Sequence, residues 1–335
     1  MGRSDMKSLC NGNMLGWGAL ILAFALVPVL MTSQYQLNVA CNVLIWALFA
    51  TSFNMLWGVT GMLSFGQALY YGVGGYAIGL TVTYLGSQWY FAAFAAGLLF
   101  TLVLSFLLGL LVIRVGGVYY TMLTLAFGQL AWQIMFKLYD FTGGDDGLQG
   151  ITLPGLLANK VYYYYFVMIL VLLAVWVLKR MAYSPFGLIL RGVRQNPNRV
   201  RFLGRRVRRN QLRIYIVASL FATVAGALMA GVDGSVHTDM FFWTTSGEVI
   251  LMSVLGGISH FFGPFCGAVV IILIEDIVGA HTEYWSLLIG SIIMVMVIGF
   301  PRGLVGGALD VAAKVRATLQ GAKHDDTTLT AGLGK

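Results

Sequence analysis

Hydrophobic positions in this chain fall into long, nearly unbroken runs separated by short polar stretches. The runs lie at about 14–32, 37–57, 62–84, 89–113, 117–137, 161–178, 212–232, 246–259, 264–280 and 285–300. A helix needs ~20 apolar residues to cross a bilayer. Backbone polar groups in hydrocarbon must also be satisfied within the segment, which favours helices. The pattern predicts an all-α polytopic membrane protein with about ten transmembrane segments.

Two of these apolar stretches are interrupted. One reads LWGVTGMLSFGQALYYGVGG at 56–75, with glycines at 58, 61, 66, 72, 74 and 75. The other reads LGGISHFFGPFCGA at 255–268. Each holds a Ser and one larger polar side chain, Gln67 or His260. They occupy comparable places in the two halves of the chain. Gly-interrupted segments in matching positions point to a path at the membrane midplane in an inverted-repeat arrangement. The same glycines would equally serve close helix packing.

Between the halves lies the stretch 179–213. It holds eleven basic residues (Lys179, Arg180, Arg191, Arg194, Arg199, Arg201, Arg205, Arg206, Arg208, Arg209 and Arg213) and no acidic one. Basic residues near span ends stay on the cytoplasmic side. Fixing this loop inside places 138–160 and 233–245 outside by alternation, with both termini cytoplasmic. Within the loop, Ser184-Pro185 predicts the N-cap and first position of a short helix. Asn196-Pro197-Asn198 breaks that helix, a second runs from Asn198 to Leu203, and Gly204 closes it. Such a helix–turn–helix is a docking surface for a cytoplasmic partner. Contact with anionic membrane lipid is the simpler use of its charge.

Composition narrows the classes. The chain has 335 residues, 59% hydrophobic and 10% charged, where a soluble domain carries about 25%. Little length remains for a catalytic domain. The net charge is +8 and the basic loop alone carries +11, leaving −3 elsewhere. The excess is local, and the loop lacks the aromatic platform of a nucleic-acid binder. Arg3 and Lys7 precede an apolar run from Trp17 to Met31 that mimics a signal peptide. It lacks a clear cleavage site, so a retained first span is expected. The tail after Leu319 is small and polar. These features predict a permease domain over 1–320 and a disordered tail at 321–335.

Candidate chemistry is sparse. Cys10, Cys41 and Cys266 have no CxxC spacing, and His237, His260, His281 and His324 make no metal pattern. Asp145 and Asp146 in FTGGDDGLQG lack the further ligands of a calcium loop. No GxxxxGK[ST] motif occurs. Glu248 and Glu275 are the carboxylates nearest a membrane interior, and no relay of acids surrounds them. The Tyr run at 162–165 fits an interfacial aromatic belt.

The chain resembles the inner-membrane permease subunits of branched-chain amino-acid ABC importers, most closely the larger of their two paralogous permeases. The matching stretches are NMLWGVTGMLSFGQALYYGVGGYAIGL at 54–80, GVYYTMLTLAFGQ at 117–129 and TGGDDGL at 142–148. They continue with SPFGLILRGVRQNPNRVRFLG at 184–204, AGALMAG at 225–231, LMSVLGGISHFFGPFCGA at 251–268 and PRGLVG at 301–306. The resemblance implies an importer of leucine, isoleucine or valine, built with a second permease, two cytoplasmic ATPases and a periplasmic binding protein. It implies no cofactor on this chain and no catalysis by it, since ATP is bound by the partners. It assigns Arg191, Arg194, Asn196, Pro197, Asn198, Arg199, Val200, Arg201 and Gly204 to ATPase coupling. The path would use Ser64, Gly66, Gln67, Gln129, Gly256, Gly257 and Ser259, and the binding protein would meet Asp145 and Asp146.

Departures from the family pattern are visible. Gln195, Asn196 and Asn198 stand where acids are common, Val200 stands for an Ala, and Gln67 stands for a His. Related permeases carry urea, short amides or aromatic acids, and these remain alternatives for the substrate. A stand-alone secondary transporter is a further alternative, opposed by the 184–204 frame.

Overall fold

The structure, a computed structural model, describes residues 33–279 and 303–307, with isolated positions at Phe24, Pro28, Leu287, Leu288, Gly290, Ser291 and Met294. The expected retained first span at 14–32 lies outside the described residues apart from those positions, as does the last run at 285–300. The predicted tail at 321–335 lies outside them entirely.

Helix α1 (Gln34–Asn54) runs directly into a π turn (Met55–Val59). Helix α2 follows at Gln67–Leu85, α3 at Tyr90–Val112 and α4 at Val118–Lys137. Helix α5 spans Lys160–Ala182, and two short helices, α6 (Pro185–Gln195) and α7 (Pro197–Phe202), come next. Helix α8 covers Val207–Asp233, α9 covers Trp243–Gly256 and α10 covers Gly263–Gly279. Among the described residues, four stretches are long and apolar enough to cross a membrane: Gln34–Val59, Ser87–Val112, Lys160–Ala182 and Val207–Asp233. The chain is therefore a helical integral membrane protein.

Packing explains which runs are inside. Helix α8 lies along α2, and small residues let their backbones meet. A Cβ on Gly226 would sit 1.8 Å from the Tyr71 carbonyl oxygen, and one on Gly74 would sit 2.0 Å from that of Thr223. Hydroxyls tie the crossing. Tyr70 donates to Tyr215 at 2.9 Å, Thr223 donates to the Tyr70 carbonyl at 3.0 Å, and Thr101 pairs with Thr223 at 2.7 Å. In hydrocarbon such bonds contribute ~1 kcal/mol each. Helix α3 turns the opposite kind of face outward: Leu99, Phe100, Val103, Phe106, Leu107 and Leu110 are exposed there, as suits contact with lipid tails.

The helical content agrees with the expected all-α class, and two local features add to it. A short ribbon accompanies the helices. Leu148–Gln149 pairs antiparallel with Ser235–Val236, Leu148 opposite Val236 and Gln149 opposite Ser235. Glycines with positive φ at 143, 144, 147 and 150 bend one loop toward this ribbon, and left-handed Gly234 ends α8 into it. The ribbon joins the two loops that the charge pattern assigns to one side. Second, the apolar run beginning at 62 does not become helical until Gln67. Hydropathy measures burial, and an irregular apolar stretch buries as well as a helical one.

Candidate functional site

Both glycine-rich interruptions are breaks in helical structure. The first follows the π turn, where Gly61 takes φ +80 and its amide bonds the Trp57 carbonyl at 2.9 Å. The chain then runs irregularly to Gly66, and its polar groups are met by neighbouring helices. Thr121 donates to the Leu63 carbonyl at 3.0 Å, and the Phe65 amide donates to Thr124 Oγ1 at 3.2 Å. At the head of α2, the Ala68 amide donates to Ser246 Oγ on α9 at 2.9 Å. Ser64 Oγ accepts from the Gly66 amide at 3.3 Å.

Gly66 is required sterically, because a Cβ there would lie 2.5 Å from the Thr124 carbonyl oxygen. Gln67 is fully buried, and neither atom of its amide has a hydrogen-bond partner. Such an orphan costs about 1–3 kcal/mol. Gln129 stands on α4 beside Gly128, which approaches Gly66, and its buried Nε2 is also unpartnered. Ser64, Gly66 and Gln67 thus lie along one break, and Gln129 lies on α4 next to the residue that approaches Gly66.

The second break, 257–262, is closed by its own backbone. Gly257 takes φ +106, the His260 amide donates to the Gly257 carbonyl at 3.2 Å, and the Gly263 amide donates to that of His260 at 3.1 Å. Helices α9 and α10 fold back on each other around it. A Cβ on Gly256 would meet the Gly263 carbonyl oxygen at 1.7 Å, and one on Gly267 would meet that of Met252 at 1.9 Å. Ser259 Oγ pairs with the neighbouring His260 Nδ1, at 3.2 Å.

The basic stretch folds as a small unit. Ser184 Oγ caps α6 by accepting from the Gly187 amide at 3.4 Å, and Asn196 Oδ1 caps α7 by accepting from the Arg199 amide at 3.0 Å. Gly204 closes α7 at φ +75. Val193, Val200 and Val207 form a miniature core with Ile189. The second helix starts at Pro197 rather than Asn198, because the Asn196 side chain does the capping. Asn196 caps the second helix from the surface and Val200 fills the small core, while Asn198, Arg199 and Arg201 stay exposed. Phe202, which no sequence pattern marks, is 93% exposed on this rim.

Arg194 does something that charge patterning could not reveal. It reaches back and donates to the Gly58 carbonyl in the π turn. A Cβ on Gly61 would touch its Cγ at 3.0 Å, and one on Gly58 would lie 2.7 Å from the Ile258 carbonyl oxygen of the second break. The basic unit and both breaks meet here around a cleft of about 510 Å³, lined by Asn54, Val59, Tyr183, Arg191, Arg194 and Ser259 among others. The sequence signal that could have found this junction is Asn54, an amide at the end of an apolar run that also holds Asn38 and Asn42.

Asp145 and Asp146 lie elsewhere, on the exposed loop leading into the ribbon. Tyr139 donates to Asp146 Oδ2 at 2.7 Å, and that bond holds the Tyr139 phenol above its ordinary pKa. Among the described residues, no group of His, Cys, Asp and Glu could hold a metal ion.

A family model described as "Branched-chain amino acid transport system / permease component" matches residues 35–298. The chain is 26% identical over 312 residues to the high-affinity branched-chain amino acid transport system permease protein LivM of Escherichia coli, covering 85% of this chain and 73% of that one. It is similar to the Salmonella typhimurium protein of the same name at the same identity and coverage. No solved structure matches.

Proposed function

The chain belongs to the permease-component family of branched-chain amino acid transport systems, and from that premise we propose that it is one membrane subunit of an ATP-driven importer. Its cargo in this reading is leucine, isoleucine or valine. It spans the inner membrane about ten times within 1–320, with both termini in the cytoplasm. It pairs with a paralogous permease, and two cytoplasmic ATPases bind and hydrolyse the ATP. A periplasmic binding protein delivers substrate at the ribbon end, near Asp145 and Asp146. The two breaks line the path as a pair, one from each half of the chain.

The observation that carries this reading is the junction at the basic end. A compact, capped, basic unit contacts both interruptions of the helical framework, through Arg194 on Gly58 and Gly58 against Ile258. A partner that displaced this unit would move both breaks together. That is the linkage an ATP-driven gate needs, because a coupling step must bias an element with two arrangements.

Uptake of radiolabelled leucine by the assembled complex in proteoliposomes tests the assignment, with urea as the contrasting substrate. ATP-dependent leucine uptake that urea does not compete is the expected result. Uptake of urea instead would move the cargo to small amides. Uptake without any ATPase subunit would sink the importer assignment.

A further inference from the structure

We propose that the groove between α2, α3 and α4 holds one acyl chain of a membrane phospholipid, entering from the leaflet on the ribbon side. Such a site is independent of the cargo.

The groove has a volume of about 560 Å³. Its floor is a stripe of α2 that runs from Leu69 through Val73 and Ala77 to Thr81. At ~1.5 Å per residue that stripe is roughly 18 Å long. One leaflet's share of a ~30 Å hydrocarbon core is ~15 Å. Volume over length gives a cross-section of about 30 Å². A helix ~10 Å across needs roughly 80 Å². A partner helix could therefore cover the groove without filling it, whereas a single extended hydrocarbon chain fits inside.

The walls exclude a polar guest. Among the described residues no charged side chain lines the groove, and its two hydroxyls are already committed. Tyr76 donates to the Thr142 carbonyl at 3.4 Å, and Thr81 donates to the Ala77 carbonyl at 2.8 Å. Apolar cavities stay dry and take apolar guests, and unfilled space forfeits the dispersion contacts of its lining. The lips continue the lipid-facing surface. Phe100, on the outward face of α3, is 60% exposed, and across the groove Leu130 and Ile134 of α4 are exposed too. Of the four candidate spans, the one that contains α3 is the most apolar and the least buried. The hydrocarbon that bathes it is thus the material at the groove's mouth.

The two ends differ. At the ribbon end, Phe241 packs on the Tyr76 ring at 5.5 Å, and the Met135 carbonyl accepts from Thr142 at 2.6 Å. At the other end, Leu69 follows Gln67 by two residues, and Phe127 adjoins Gly128, which approaches Gly66. The tip of the acyl chain would rest beside the first break. It would brace α4, whose Thr121 and Thr124 hold that break.

The test places the full chain, alone and in the assembled importer, in lipid nanodiscs. The nanodiscs are doped with a phospholipid that carries a photoactivatable diazirine on one acyl chain, and mass spectrometry of the irradiated protein locates the adducts. A diazirine at the chain end should mark Val73 and Phe127, and one near the glycerol should mark Thr81 and Met135. Because the groove reads no headgroup, the pattern should agree within about twofold between phosphatidylcholine and phosphatidylglycerol. Ala131→Trp fills the groove from α4. It should cut the adducts at Val73 at least about fivefold and leave those on the outward Leu99 unchanged. Adducts confined to Leu99, Phe100 and Leu130 would mean ordinary boundary lipid and overturn the site. The reverse order along the groove would overturn it as well, as would a preference of about tenfold for one headgroup or parental labelling of Val73 in a folded Ala131→Trp protein. Floor adducts present in the chain alone and absent from the assembled importer would give the groove to a partner subunit, again overturning the proposal. The arms on the unaltered protein decide the matter even if the variant fails to fold.

Discussion

At the first break, 60–66, backbone groups turn to hydroxyls on two other helices, Thr121 and Thr124 on α4 and Ser246 on α9. At the second, 257–262, they turn to each other through consecutive tight turns. The glycine patterns of the two stretches look alike, yet their energetics differ. The first break is held by its surroundings and cannot move without α4 and α9. The second satisfies its own backbone and meets its surroundings by close contact instead, with the Ile258 carbonyl against Gly58 and Gly303 against Gly257. Similar composition thus yields an anchored break and a self-bonded one.

The largest expected effect comes from prising apart the pair that carries the self-bonded break. Gly256→Val would place a side chain within the Gly263 backbone, where overpacking costs on the order of 3 kcal/mol or more. We expect loss of most folded protein from the membrane, read by size-exclusion chromatography of the extracted chain. A parental elution profile would show that α9 and α10 are not packed this closely.

Next comes the anchored break. Gly66→Ala forces a Cβ against the Thr124 carbonyl, a strain of about 1–3 kcal/mol taken up by α4. Reconstituted leucine uptake should fall at least tenfold while the amount of inserted protein stays near parental, and Gly66→Trp should abolish uptake. Normal transport by the Trp variant would leave Gly66 as a packing residue only.

A matched pair of serine deletions bears on the comparison directly. Ser246→Ala leaves the buried Ala68 amide without its acceptor, costing about 1–3 kcal/mol. Ser259→Ala removes an exposed hydroxyl whose partner is the adjacent His260, a change within ~0.5 kcal/mol. Thermal unfolding of the two purified variants should separate them clearly. Equal shifts would mean that the two breaks are held in the same way.

The smallest effect is expected where nothing is crowded. A Cβ on Gly204 would meet no atom within 4 Å, yet the residue's φ is +75, so Gly204→Val costs only the left-handed penalty of ~1–2 kcal/mol. That strain falls on the end of α7. Insertion should be unchanged, while co-purification of the ATPases and uptake both decline several-fold. Parental values for both would reduce the basic loop to a topology signal.

Much of this arrangement was legible in the sequence. The runs at 89–113 and 117–137 match helices at Tyr90–Val112 and Val118–Lys137, because a lipid-facing helix must be apolar along its whole length. The frame of the basic unit was readable because Ser184, Asn196 and Gly204 act locally, through their own backbone neighbourhoods. The π turn, the ribbon and the Arg194–Gly58 bond were not readable. Each depends on a partner far along the chain or on the phase of a helix, which hydropathy does not record. Arg194 lies 136 residues from Gly58, and its charge suggested only solvent and a partner protein.

The π turn at Met55–Val59 has a meaning in terms of chain length. A π turn holds one residue more than the α-helical repeat, and each residue of an α-helix advances the face by about 100°. A wide turn with i→i+5 bonds takes up its extra residue without turning the helix further. Deleting one residue from this turn would therefore let α1 continue as plain helix with Asn54 still on the cleft wall, whereas deleting one from the regular helix above would swing everything upstream by about 100°. The π turn works as slack in the chain, holding an added residue without changing which side of a buried helix the junction sees.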